Sequence, residues 1–128
     1  MLIFGFKDID SPNFIKVNSK EDILKTTPKD TIIIDEVKRP YTLLKYCSSN
    51  KIEYAAVTRS IKEAIIANHF NASYIIGEFE FAKEIQKIAD EYLWDTKVLA
   101  LISNEDEVEI VAKAFIDGAI IKKYIKGL

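Results

Sequence analysis

Thr31-Ile32-Ile33-Ile34 is a run of four β-branched residues with no polar alternation, followed at once by Asp35-Glu36. A strand with one wet face alternates apolar and polar residues. A strand that is apolar on both sides of its pleat is buried on both faces, which is the habit of central strands in parallel sheets. Similar short runs recur at Tyr54–Val57, Ser73–Ile76, Val98–Ile102 and Ala119–Ile121. Between them lie stretches of helical period. That alternation predicts a parallel sheet layered with helices.

The intervening helices carry their own punctuation. Ser19 with Asp22, Ser60 with Glu63, and Asn104 with Glu107 are capping pairs three residues apart. Pro40 suits the first turn of a helix with Leu43, Leu44 and Cys47 on its apolar stripe. Phe81, Ile85, Ile88, Ala89 and Tyr92 form the stripe of a second helix. Val108, Val111, Ala112 and Phe115 form that of a third, with Gly118 as its left-handed stop. Asn71 ends the helix that starts at Ser60. Upstream, Leu2–Phe6 and Phe14–Val17 read as strands around the turn Asp10-Ser11-Pro12-Asn13. They form either a hairpin on the sheet edge or additional members of the parallel set.

The expected architecture is a single α/β domain over residues 1–128, a three-layer α/β/α sandwich with a flavodoxin-like, mainly parallel sheet. Residues 1–30 form an N-terminal β extension and residues 31–128 form five βα-type units. A half (βα) barrel that closes with a second copy is the alternative architecture.

Bulk properties narrow the function classes. The formal net charge is −2, and of the 18 basic residues only Arg39 and Arg59 are arginine. Neither feature suits nucleic acid or an anionic membrane surface. No apolar run approaches the roughly 18 residues of a membrane-spanning helix. The apolar start, Met1–Phe6, has no basic leader and meets Lys7-Asp8 immediately, so it reads as a strand and not a signal peptide. Cys47 is the only cysteine, which excludes an internal disulfide and fits a reducing compartment. A cytoplasmic protein is expected.

In open parallel sheets, ligands bind beyond the carboxyl ends of the strands. The candidate rim there is Asp35, Glu36, Arg59, Glu78, Ser103 and Lys122. Asp35 and Glu36 are the candidate ligands for a hard cation such as Mg2+, and the hydroxyl and lysine would face a phosphoryl group. The same residue types also serve as helix caps and wet loops in any α/β domain. Elsewhere the chemistry is sparse. His69 is the only histidine and lies at a helix C-terminus. Cys47 sits on a core-facing stripe. Trp94 reads as the end of a core stripe. Gly5, Gly77, Gly118 and Gly127 are isolated, so there is neither a P-loop nor a dinucleotide fingerprint.

From Thr31 to Lys123, about three quarters of the chain, the order of elements resembles a response-regulator receiver domain. Asp35-Glu36 resemble its acidic pair, Ser103 its hydroxyl after the fourth strand, and Lys122 or Lys123 its lysine after the fifth. Where that family keeps its phosphoacceptor Asp, this chain reads Ile76-Gly77-Glu78, and Tyr124 replaces the proline after the lysine. Ala67-Asn68-His69-Phe70 and Ile116-Asp117-Gly118-Ala119 are similar to small bacterial α/β proteins, a likeness that implies no activity. The function expected is a non-enzymatic binding or regulatory module, with no required cofactor and with a protein partner or a second copy of itself. The alternatives are a Mg2+-dependent phosphoryl-handling or receiver-like domain and a homodimeric structural protein.

Overall fold

The computed structural model describes residues 1–128. In chain order the elements are β1 (Leu2–Phe4), β2 (Asn13–Lys16), α1 (Lys20–Leu24), β3 (Asp30–Ile34), α2 (Thr42–Ser49), β4 (Tyr54–Val57), α3 (Ile61–His69), β5 (Tyr74–Gly77), α4 (Phe79–Glu91), β6 (Lys97–Ile102), α5 (Val108–Lys113) and β7 (Gly118–Ile121). Short 3-10 turns precede α5 and follow β7. All strand pairings are parallel, so the class is the expected one, α/β with a parallel sheet, compatible with a flavodoxin-like fold. No helix is long and apolar enough to cross a membrane.

The strand order is β1-β7-β6-β5-β4-β3-β2. From β2 to β7 each strand lies beside its predecessor, with no reversal. Right-handed crossovers repeated in one direction put every helix on the same face. The packing agrees. One core holds Ile23, Leu44, Cys47, Ala64, Ala67, Ala82, Ile85, Ala89 and Val111 from the five helices, set against Ile32, Ile34, Ala56, Ile75, Val98 and Ala119 of the sheet. The second core has no helical residue: Phe4, Phe14, Ile33, Ala55, Val57, Ile76, Leu99, Ile120 and Ile125. On that face the helix layer of an α/β/α sandwich is replaced by the sheet itself, curled until its edges meet.

The aromatic rings establish the curl. Seven flat strands spaced by about 4.8 Å would hold β1 and β2 about 29 Å apart. Yet the Phe4 and Phe14 ring centroids are 5.1 Å apart, and the Tyr74 ring of β5 is 5.6 Å from Phe4. The C-terminal segment seals the seam beside β2. Lys16 N–H donates to Lys126 O, and Lys126 N–H donates to Phe14 O, both at 3.0 Å. The Tyr124 hydroxyl lies 2.9 Å from the carbonyls of Ser11 and Pro12. The extension therefore forms no β1–β2 hairpin; its strands enter the parallel sheet at opposite edges. A single copy closes the curl that a half-barrel would need two copies to close.

The helix N-termini follow the sequence reading. Ser19, Ser60 and Asn104 accept from Asp22 N–H, Glu63 N–H and Glu107 N–H. In return the three acids accept from the N–H just before each cap, at Asn18, Arg59 and Ser103. Pro40 lies before α2, whose N-cap is Tyr41, and not inside its first turn.

Of the helix C-termini, the one at Asn71 follows it and the others do not. Lys51, Asn71, Leu93 and Phe115 all have φ between 53° and 61°. Each is followed by an N–H that reaches five residues back: Ile52 to Cys47, Ala72 to Ala67, Trp94 to Ala89 and Ile116 to Val111. These are four Schellman stops built without glycine. Gly118 is not a left-handed stop; it is the first residue of β7, and Phe115 takes the left-handed position. The stop also turns Phe115 and Tyr92 off their expected stripes and into solvent, and Ile116 and Trp94 pack inward in their place.

Leu93 and Phe115 are 85% and 84% exposed in a backbone region that costs a side chain about 1–2 kcal/mol. Leu93→Gly and Phe115→Gly are each expected to gain up to about 1 kcal/mol, after the entropy lost to glycine. Urea titration reads this directly.

Cys47 is fully buried against α2's neighbours, and burial pushes its thiol from an ordinary value of 9.0 up to about 11. The folded chain keeps the thiol protonated where the unfolded chain begins to ionise. Stability is therefore unaffected below pH 9 and falls as the pH rises toward 11. Buried Tyr54, whose hydroxyl donates to Phe70 O, is shifted in the same direction and adds to the loss at higher pH. A Cys47→Ala variant should flatten the first part of that decline in urea midpoints measured across this range.

Candidate binding site at the mouth of the curled sheet

Side chains along a strand alternate between faces. The last inward apolar residues of β2, β3, β4, β5, β6 and β7 are Phe14, Ile33, Val57, Ile76, Leu101 and Ile120. Two residues further along, the same face receives Lys16, Asp35, Arg59, Glu78, Ser103 and Lys122. Six neighbouring strands thus present one polar residue each at the carboxyl end, in the order basic, acidic, basic, acidic, hydroxyl, basic. The curl turns this row into a rim. Asp35, Arg59, Glu78 and Lys122 line one cavity of about 250 Å3, with Val57 and Leu101 among its apolar lining and Thr58, Gly77 and Leu128 completing it.

Half of the rim is knitted together. Asp35, 20% exposed at its side chain, receives Arg59 Nη2 at 2.9 Å on Oδ1 and faces Lys16 Nζ at 3.5 Å on Oδ2. Arg59 Nη1 also donates to the Asp35 carbonyl at 2.9 Å. This two-point grip spans β3 and β4 and ties the guanidinium to Asp35 on the rim. Glu36 leaves the group. It pairs with Lys38 at 2.8 Å on the exposed outer surface, and that hydrogen bond and charge hold its carboxyl below the usual range while raising Lys38. Asp35 and Glu36 line a neighbouring cavity of about 260 Å3 together with Lys16 and Lys38, and no group of three His, Cys, Asp or Glu side chains is placed to hold a metal.

Glu78 and Lys122 differ from the rest. Glu78 is the N-cap residue of α4, but its side chain makes no capping hydrogen bond. Neither it nor Lys122 joins an ion pair. Ser103 stands on the rim without lining the cavity; its N–H is held by Glu107. Lys16 is the rim residue that the sequence reading passes over, although parity from the buried Phe14 points to it. The hydroxyl of Thr58, buried beside Arg59, has no hydrogen-bond partner.

The other chemistry-bearing residues lie elsewhere. His69 stacks edge-on against Phe70 with ring centroids 4.9 Å apart at the end of α3. Trp94 packs against the helix-side core, as expected. The opposite end of the sheet carries a broad open groove of about 750 Å3 that includes Asn68, Asn71, Tyr74, Leu93, Trp94 and Thr96. No protein-family model matches this sequence, and no curated protein matches it either.

Proposed function

We propose that the chain is a non-enzymatic binding or regulatory module whose ligand sits in the mouth of the curled sheet. The observation that supports this reading is the rim itself: charged residues from four strands, β3, β4, β5 and β7, around one small cavity. Concave sites with few convergent polar groups on apolar walls are the usual form of small-molecule pockets. Rigid strands and the Asp35–Arg59 grip preorganise this one.

The test is a titration of backbone amide NMR shifts with inorganic phosphate, acetate, methylammonium, glycine and MgCl2 in turn. Saturable shifts clustered on Arg59, Glu78, Ser103 and Lys122 are expected with at least one of them. Shifts that are scattered, or absent for every probe, contradict the reading. Saturable shifts centred on Asp35 and Glu36 with Mg2+ alone would instead favour a phosphoryl-handling or receiver-like domain. That alternative has less support, because Asp35 is already held by Arg59 and Lys16, and Glu36 by Lys38.

A second reading, self-association, draws on the opposite end of the sheet. Leu93 and Phe115 project there from neighbouring helix stops, almost fully exposed. A homodimer through this end would bury them. Sedimentation equilibrium of the wild type and of Leu93→Glu/Phe115→Glu distinguishes the two: a dimer that the double substitution splits supports it, and a wild-type monomer removes it.

A further inference from the structure

We infer that the ligand class of this mouth is a small zwitterion of the α-amino-acid type, an inference that rests on the binding-module reading above. Every charged rim residue but two has a structural occupation. Asp35 is held between Arg59 and Lys16 across β2, β3 and β4, a trio with a net charge of +1. Glu78 and Lys122 are left, opposite in charge, on the walls of one cavity and without ion-pair partners. Glu78 is not spent on capping α4 either.

Their spacing suits such a ligand. β5 and β7 flank β6, so their backbones are two strand spacings, about 10 Å, apart. Leu101 of β6 lines the cavity between them. Side chains reaching in from both sides leave room for a group carrying an ammonium toward Glu78 and a carboxylate toward Lys122. The guanidinium of Arg59, fixed through Asp35, adds further donors on the same rim. Val57 and Leu101 offer an apolar wall to the ligand's own side chain. An isolated anion would leave Glu78 as a repelling neighbour, and an isolated cation would leave Lys122 as one. Only a ligand with both charges answers both walls.

The experiment uses the full chain and amide NMR. The standard L-amino acids are titrated singly to about 10 mM, a range that reads millimolar affinity. For any that binds, its decarboxylated amine and its deaminated acid are titrated alongside. The expected result is saturable shifts at Arg59, Glu78, Ser103 and Lys122 with at least one amino acid, and about tenfold or weaker binding of both analogues. Glu78→Gln should weaken the amino acid by about tenfold and leave the deaminated acid unaffected or improved, whereas Lys122→Gln should do the converse with the amine. Both positions are exposed, so the variants are expected to fold, and their unliganded spectra verify it.

If acetate, phosphate or an amine binds as well as every amino acid, the ligand class is wrong and the binding-module reading survives. If no probe shifts the rim, both fall together.

Discussion

Replacing Phe14 with alanine is expected to lower the unfolding free energy by roughly 3–5 kcal/mol, the largest loss of any single truncation in this chain. Phe14 is 0% exposed and sits where the two edges of the sheet come together. Its ring meets Phe4 of β1 at 5.1 Å, Tyr74 of β5 at 6.3 Å and Tyr124 of the C-terminal segment at 6.3 Å. These neighbours come from three separate parts of the chain, so they cannot collapse together around a missing ring without reopening the curl. Part of the loss is transfer energy and part is the cavity. A domain of this kind has about 5–15 kcal/mol in total, so the variant should remain folded only under mild conditions. Phe115→Ala is the matched control: the same substitution at an exposed ring should change stability by less than about 0.5 kcal/mol. Urea midpoints of the two variants make the comparison, and a similar small loss for both would contradict the buried inner core.

Gly118→Ala is expected to cost about 3 kcal/mol, at the upper end of overpacking effects, for the addition of one methyl group. Gly118 is paired with Leu2 on one side and Leu99 on the other. A Cβ there would lie 2.5 Å from the Leu2 carbonyl oxygen, 2.7 Å from Leu2 Cβ and 2.8 Å from Leu99 Cδ2. A side-chain tip could swing away, but the Leu2 carbonyl is backbone. The strand that gives way is β1, which has three residues and a single strand neighbour. Amide exchange at Ile3 and Phe4 should therefore accelerate well beyond that at Ile75 or Leu99. Trimming Leu99 to valine should fail to restore it, because the closest clash is with the Leu2 backbone. Uniform acceleration across all strands would mean that β1 is not a separable edge.

The strands β3 to β7 were legible because each is a short β-branched or apolar run between turn and helix signals. The rim was legible for the same reason: once a strand ends, the next residues lie at its carboxyl end. Four of the six residues expected there, Asp35, Arg59, Glu78 and Lys122, do line one cavity, whereas Glu36 turns to Lys38 and Ser103 stands aside. Three helix starts were legible from Ser19, Ser60 and Asn104, where side-chain chemistry is local.

What was not legible is non-local. Nothing in Leu2–Phe4 or Asn13–Lys16 states which strand each joins, so the unbroken strand order and the curl were out of reach. Residues that bury both faces look alike whether the second face meets helices or the far edge of the same sheet. The helix stops were hidden because Lys51, Leu93 and Phe115 lack the glycine that marks a left-handed residue. Gly118, which does have that mark, is glycine for lack of space beside Leu2. Lys16 was missed because its role depends on Phe14 facing inward, a fact that belongs to the closed sheet.

The closure of that sheet is what brings separate strand ends to one mouth, and ring contacts test it most directly. With Phe4 and Phe14 selectively labelled, a NOESY spectrum of the folded chain should contain a cross-peak between their ring protons, whose centroids are 5.1 Å apart. Backbone contacts within the pairs β1–β7 and β2–β3 without that cross-peak would describe an open sheet, with β1 and β2 at distant edges and no common mouth.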